Sequence, residues 1–359
     1  MSKIFTEEPE QEQWQMLSSF IYPSNIKRYF EQKTVENCDE EVVDLISGSI
    51  LQAQEYFYAS NSVSLNTSPL LLYYGAVNLL FAASLLNSGK KVEISNHGIQ
   101  LELATRNRLA DTTFIPYFST EHGGLHQFCR TFCPNINISQ YGSQNQWTLL
   151  ETLGSILELK PNFEACYGIK SNIIPIQNVI SKQDSVERIN KEEFSNQDIL
   201  QELQKIGDFN KCYLSPKLKN DFFNYQYIFL RRRIKGKDIT ETSVMGQAFL
   251  RKFHEKGSHK IVIPSIIHIY MGLYVLGNIS RYHPSVWIPF VRSDSTGERQ
   301  IIEKFIRICK RNVPNMVLNF IHGTNFYFTQ EIYEPLDLSQ DFTEEQIRKI
   351  ALEEIKKYQ

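Results

Sequence analysis

Hydrophobic positions recur at different spacings along the chain, and the changes divide it into three parts. Val42, Leu45, Ile46, Ile50, Ala53 and Phe57 fall three or four residues apart, one stripe of a helix. Two other stretches are apolar on all sides: Asn61 to Gly89, containing SPLLLYYGAVNLLFAASLL, and Ile261 to Ser280, IVIPSIIHIYMGLYVLGNIS. A helix apolar all round is buried in a large core or spans a membrane. Tyr73, Tyr74, Gly75 and Asn78 interrupt the first stretch, and His268, Tyr270, Gly272 and Gly277 the second. Polar groups in lipid need partners from other spans, and the flanking lysines and arginines show no sided bias. Two buried core helices are therefore expected, with membrane association as the lesser alternative.

Punctuating residues set the other boundaries. Residues 6–33 predict two short helices divided by Tyr22-Pro23-Ser24. Asn37 to Glu40 reads as a capping box before the 42–57 stripe, with Asp39, Glu40 and Glu41 at the positive end of the dipole. Ser68 and Pro69 read as N-cap and first residue of the first apolar helix, so 37–88 predicts a helical hairpin. The texture then changes. Short strands are expected at 91–94 and 114–118, a polar loop at 134–146, and a helix from Trp147 to Leu159. Strand-like runs follow at 173–180, 211–214 and 225–234, with a helix near 197–206. Helical spacing returns after Ile261. Ser295 to Glu298 reads as a capping box before Ile301, Ile302, Phe305, Ile306 and Cys309. Pro314 is expected to open a new helix that Gly323 stops, and Thr343 with Gln346 to cap a last one carrying the pairs Glu345/Lys349 and Glu353/Lys357. The predicted fold is mainly α with α+β character: helical N- and C-terminal blocks packed around a mixed middle. It reads as a single domain over 1–359, with sub-regions 1–89, 90–260 and 261–359.

Composition narrows the functional classes. With 359 residues, 42% hydrophobic and 22% charged, the chain can bury a large core, and wholesale disorder is excluded. A net charge of −2 gives no global field toward nucleic acid or anionic membrane, so any basic site must be local. Cys38, Cys129, Cys133, Cys166, Cys212 and Cys309 are too scattered for a disulfide framework and read as reduced thiols of a cytoplasmic protein. The acidic start, MSKIFTEEPEQEQW, lacks the apolar core of a signal peptide. Phosphate loops, dinucleotide fingerprints, paired zinc-ligand motifs, serine elbows and kinase signatures are absent, so no cofactor is expected.

Three groups of residues carry candidate chemistry. His122, His126, Cys129 and Cys133 would share one face if 122–133 were helical, and both residue types bind zinc. Eleven residues of helix rise about 16 Å, so one ion could take only an adjacent pair. No protease signature surrounds either cysteine. Arg231, Arg232 and Arg233, with Lys235 and Lys237, follow the aromatic run Tyr225–Leu230, the combination of stacking faces and phosphate-neutralising groups that a single-stranded nucleic-acid site uses. Lys304, Arg307 and Arg311 form a second basic stripe. Solvated strand ends and helix faces also look like this. His268 reads as a core histidine bonded to a neighbour, His97 before Gly98 as a turn residue, and Arg281 as a cation at a helix C-terminus.

Several segments together resemble the YaaC-like bacterial family in order and spacing: SPLLLYYGAVNLLFAASLL, Asn96-His97-Gly98, His122-Gly123-Gly124-Leu125, MGLYVLGNISRYHPSVW at 271–287 and RNVPNMVLNFI at 311–321. The resemblance spans roughly residues 40–322. It implies a bacterial, cytoplasmic, mainly helical protein and carries over no catalytic residue. Tyr56-Phe57-Tyr58 followed by Leu72-Tyr73-Tyr74-Gly75-Ala76 is also similar to the opening hairpin of HEPN-type helical domains. Many of those are RNases with an Arg, four to six residues and then a His. That spacing is absent: Arg251 to His254, Arg251 to His259 and Arg281 to His283 all miss it. The expected function is an accessory or interaction protein of a bacterial multi-component system, anti-phage defence among the candidates. It would act by binding a macromolecular partner or another copy of itself. A nucleic-acid binder or nuclease with a non-standard site is the alternative.

Overall fold

A computed structural model describes residues 2–33, 39–105, 107–118, 122–134, 145–180, 185–190, 213–215, 227–231, 240–251, 254–256 and 259–329. In chain order it opens with β1 (Ser2–Phe5), α1 (Pro9–Ser18), α2 (Pro23–Gln32), α3 (Glu40–Asn61) and α4 (Ser68–Ser88). The middle holds β2 (Ile99–Leu103), β3 (Thr113–Pro116), α5 (Gly124–Phe132), β4 (Trp147–Thr148), α6 (Leu149–Leu153) and α7 (Lys160–Tyr167). Strands β5 (Ile173–Ile180), β6 (Ser185–Asn190), β7 (Tyr213–Ser215), β8 (Tyr227–Arg231), β9 (Thr240–Thr242), β10 (Ala248–Arg251), β11 (His254–Lys256) and β12 (His259–Ile261) follow. The chain then returns to helix with α8 (Ser265–Tyr282), α9 (Pro284–Ser293) and α10 (Glu298–His322), before β13 (Phe326–Thr329). The fold is mainly α with small sheets.

By contacts the chain forms two compact units, Met1–Ile174 with Ile239–Gln330, and Pro175–Asp238 with Glu331–Gln359. In the smaller, β6 pairs antiparallel with β5 on one side and β8 on the other, and β7 pairs with β8. In the larger, β2, β3 and β4 form an antiparallel sheet, and β1 pairs in parallel with β13, from Ser2 opposite Phe326 to Phe5 opposite Thr329.

The helical blocks enclose the core of the larger unit. The stripe Val42, Ile46, Ile50, Ala53 and Phe57 is buried as its spacing predicts. Every residue of α8 from Ser265 to Gly277 is buried. Glycines let these helices approach closely. A Cβ on Gly75 would lie 2.6 Å from the Phe57 ring of α3, one on Gly272 would lie 2.8 Å from the Phe305 ring of α10, and one on Gly277 would meet Tyr73 Cβ at 3.4 Å. Among the described residues, α4 alone is long and apolar enough to cross a membrane, and two-thirds of its apolar stretch is buried in the fold. Core helices of soluble proteins meet the same criterion.

Several boundaries move. Asp39 caps α3, its carboxylate accepting from Glu41 N at 3.1 Å; Asn37, the expected start of the box, lies outside the described residues. Thr67 occupies the N-cap of α4, with Ser68 and Pro69 inside it. Residues 91–94 form no strand; Lys91 instead pairs with Glu41. The expected helix from Trp147 to Leu159 splits into β4, α6 with a Thr148–Glu151 capping box, and a short 3-10 turn at Leu157–Leu159. Pro314 lies inside α10 and does not start a helix. The buried stripe Ile306, Cys309, Val313, Val317 and Ile321 stays in phase across it, so one continuous helix buries every member. Glu298 also departs from its predicted role. Its buried carboxylate accepts from Leu109 N at 2.8 Å and Ala110 N at 3.2 Å, while Asp294 accepts from Thr296 N and Arg299 N, both at 2.9 Å. The helices expected near 197–206 and after Thr343, and most of the 134–146 loop, lie outside the described residues.

His268 is buried as expected, but its Nδ1 has no hydrogen-bond partner among the described residues. Its ring lies 5.1 Å from that of His254 and 5.9 Å from that of Trp147. His254 Nε2 lies 3.1 Å from Ser155 Oγ. Nearby, Lys256 Nζ donates to Glu151 Oε1 at 2.6 Å and lies 4.8 Å from the Trp147 ring centre.

Two predictions follow from this packing. Gly75→Ala forces the Phe57 ring aside, and the overpacking outweighs the helix-propensity gain. A loss of about 1–3 kcal/mol in chemical denaturation is expected. Burial lowers His254 from 6.5 to about 4 and pushes His268 well below its ordinary value. Below pH 6.5 the unfolded chain therefore binds more protons than the folded one. The stabilisation is complete above that pH and is lost as pH falls toward 4, with His254 alone contributing on the order of 3 kcal/mol. Denaturation midpoints measured across this window should fall steeply in the wild type and less steeply in His254→Gln.

Candidate functional site

Polar groups that an apolar helix cannot leave unpaired create the most distinctive surface of the larger unit. On α8, Tyr270, Tyr274 and Asn278 stand four residues apart, and Arg281 follows on the same side. On α4, Tyr73 and Tyr74 stand at the seam with α8, where Gly277 leaves room for them. The 95–98 loop closes the site. It is fastened to the start of α5: Gly124 N donates to Asn96 O at 2.8 Å, and Leu125 N to His97 O at 3.1 Å. Tyr270 Oη adds a third tie, donating to His97 O at 2.7 Å. Gly98 has φ +72, which L side chains resist, and its N–H donates to Asn96 Oδ1 at 2.9 Å. A Cβ on Gly124 would lie 3.0 Å from Tyr270 Oη, so glycine is needed for that hydrogen bond.

His97 is held on both its backbone and its ring. Tyr73 Oη lies 2.6 Å from Nδ1, and the Tyr73 and Tyr274 rings pack at 5.4 and 5.6 Å from the imidazole. Burial lowers the His97 pKa, leaving the ring neutral near pH 7. Burial also raises Tyr73, Tyr270 and Tyr274 above the ordinary phenol value, with neighbouring tyrosines adding to the rise of Tyr73. All three keep their protons. Tyr73 can therefore donate to Nδ1, which leaves the imidazole proton on Nε2.

Outside this pair, Arg281 Nη1 donates to Tyr74 Oη at 3.1 Å and its guanidinium lies 4.8 Å from the Tyr282 ring centre. Tyr74 also stacks on Tyr56 at 5.9 Å. Leu70, Tyr73, Tyr74, His97, Tyr274, Gly277, Asn278, Arg281 and Tyr282 line a cavity of about 120 Å³. Among the described residues, no carboxylate lines it.

A family model described as YaaC-like Protein matches residues 3–321. The chain belongs to that family. The matched span contains every residue of the cavity, and four of the segments that carry the resemblance meet around it: the α4 sequence, Asn96-His97-Gly98, His122-Gly123-Gly124 and the α8 sequence. No curated protein and no solved structure matches.

In this YaaC-like chain the other candidates are dispersed. His122 does not belong to α5. It precedes the helix with φ +63, is exposed, and lies 3.8 Å from Glu93. His126 Nδ1 contacts Phe118 O at 2.5 Å, and Cys129 and Cys133 are buried. The single face expected over 122–133 is thus broken, because Gly123 begins the helix only after the chain has turned. Burial, with Cys133 beside it, holds the Cys129 thiol well above its ordinary pKa, the opposite of an activated nucleophile. Among the described residues, no three His, Cys, Asp or Glu side chains are grouped to hold a metal. Lys304 Nζ donates to Asn162 Oδ1 at 2.6 Å and Arg311 Nη2 to Phe328 O at 3.4 Å, while Arg307 is exposed. Arg231 ends β8 opposite Val186 and Tyr213. Arg232, Arg233, Lys235 and Lys237 lie outside the described residues.

Sequence reasoning passed over this site. It gave His97 a turn and Arg281 a helix dipole. The available signal was hydroxyl groups at four-residue spacing inside an otherwise apolar helix. Burial is what lowers the His97 pKa, so Tyr73→Phe, which keeps the covering ring and removes only the hydroxyl, should leave it below its ordinary value. Titration of the imidazole resonances by NMR checks this against the wild type.

Proposed function

We propose that this YaaC-like protein acts by binding a macromolecular partner, and that the partner is a single-stranded nucleic acid engaged at the Tyr73–His97–Arg281 cavity. The carrying observation is the pairing of an exposed guanidinium with aromatic faces at a cavity of about 120 Å³. Sites for whole small ligands enclose roughly 300–1,000 Å³. A cavity this small suits one group presented by something larger. Arg281 supplies charge for a phosphate, while Tyr282, 60% exposed, and Tyr74 supply stacking surface. Tyr73 and Tyr274, held protonated by burial, offer hydroxyl donors and no phenolate nucleophile, which favours binding.

Fluorescence anisotropy with labelled single-stranded RNA and DNA, repeated over a range of salt, tests the reading. Arg281→Ala is expected to weaken binding and reduce the salt slope by about one, and Tyr282→Ala to cost about 1–3 kcal/mol. Equal affinity and slope for wild type and Arg281→Ala would sink it, as would failure of every strand to bind.

A further inference from the structure

The polarity of the cavity carries more than its size does. Its wall offers the Arg281 guanidinium and the Nε2–H left on His97 once Nδ1 faces Tyr73, while the Asn278 amide is engaged with the Tyr274 hydroxyl. Tyr74 accepts from Arg281, which leaves its own O–H proton to donate. Tyr274, held protonated by burial, presents another hydroxyl. Against these stand no Asp or Glu among the lining residues. A nucleobase edge alternates donors and acceptors and would waste such a wall. An oxyanion accepts from every direction and matches it.

The shape adds a second constraint. Tyr73, buried at 4% exposure, and Gly277 lie on the α4–α8 seam, where the helices come close enough that a Cβ on Gly277 would meet Leu70 Cα at 3.5 Å and Pro69 O at 3.6 Å. The seam closes the inner side of the cavity, while Arg281 and Tyr282 are exposed at its outer edge. A phosphodiester inside a strand must enter and leave, which calls for an open groove. A cavity of about 120 Å³, closed at the seam and open at its outer edge, suits a group at the end of a chain.

We propose that the cavity binds the terminal phosphate of a nucleic-acid strand, so that the protein recognises strand ends. This rests on the nucleic-acid reading above and specifies what part of the strand is held. The phosphate oxygens take donors from Arg281, His97 Nε2 and the hydroxyls, and the first sugar and base leave past Tyr282. A terminal phosphate carries more charge than an internal one, which matches a site with one fixed guanidinium and several neutral donors.

The test compares single strands of one sequence bearing a 5′-phosphate, a 3′-phosphate or hydroxyls at both ends, each labelled internally, together with inorganic phosphate as competitor. A phosphate at one end is expected to tighten binding roughly ten-fold or more over the hydroxyl-ended strand. Arg281→Ala should remove that difference and Arg281→Lys restore part of it. Since Arg281 is exposed, its replacement should leave the thermal unfolding midpoint near that of the wild type. Equal affinity for all three strands, with binding still lost in Arg281→Ala, would overturn end recognition and leave the nucleic-acid reading standing. Binding of inorganic phosphate with no strand bound in any form would overturn both.

Discussion

The close passage of α4 between α3 and α8 is the constraint on which the rest of the larger unit depends. Helices apolar on every side must be covered on every side, and the stabilisation gained scales with the apolar area removed from water. Coverage is complete only where backbones approach more closely than ordinary side chains allow. Gly75 and Gly277 supply that approach on the two sides of α4, and Gly272 supplies it between α8 and α10. The continuous helix through Pro314 has the same origin, since breaking it would expose half of a stripe that the seam needs buried.

Packing this tight makes every polar group within it consequential. A buried hydroxyl or imidazole without a partner costs roughly 1–3 kcal/mol, and at the α4–α8 seam the tyrosine hydroxyls find one. Tyr73 and Tyr270 solve the problem together, one through the His97 ring and the other through the His97 carbonyl. The result is a histidine fixed in ring and backbone at the rim of the core. Inside the core, by contrast, His268 Nδ1 has no hydrogen-bond partner among the described residues, and His268 answers by staying neutral, while Arg251 Nε lies 3.4 Å from a Glu241 carboxylate oxygen. The same burial that stabilises the bundle thus sets a neutral imidazole and protonated phenols around the cavity, and these decide what the cavity can hold.

Much of the scaffold was legible in the chain. The 42–57 stripe, the two apolar helices and their mutual packing, the stop at Gly323 and the mainly helical character are consequences of local spacing, and local spacing is what a helix reads. Boundaries were less legible where two residues compete for one job. Asp294 accepts from the N–H groups at the start of α10 and frees Glu298 for a distant task. The parallel pairing of β1 with β13 left no trace in the sequence, because its partners stand at opposite ends of the larger unit's chain.

The site belongs to that second kind of information. Periodicity alone determined that Tyr73, Tyr270 and His268 would lie in or beside a core, because a residue's place on a helix face depends only on its near neighbours. Composition determined that any charged site would be local. Only the tertiary structure decided that His97 meets Tyr270 across 173 residues of chain and that Arg281 meets Tyr74 across 207. Those meetings follow from how three helices and one loop are covered by one another, a property of the whole packed unit that no segment carries by itself.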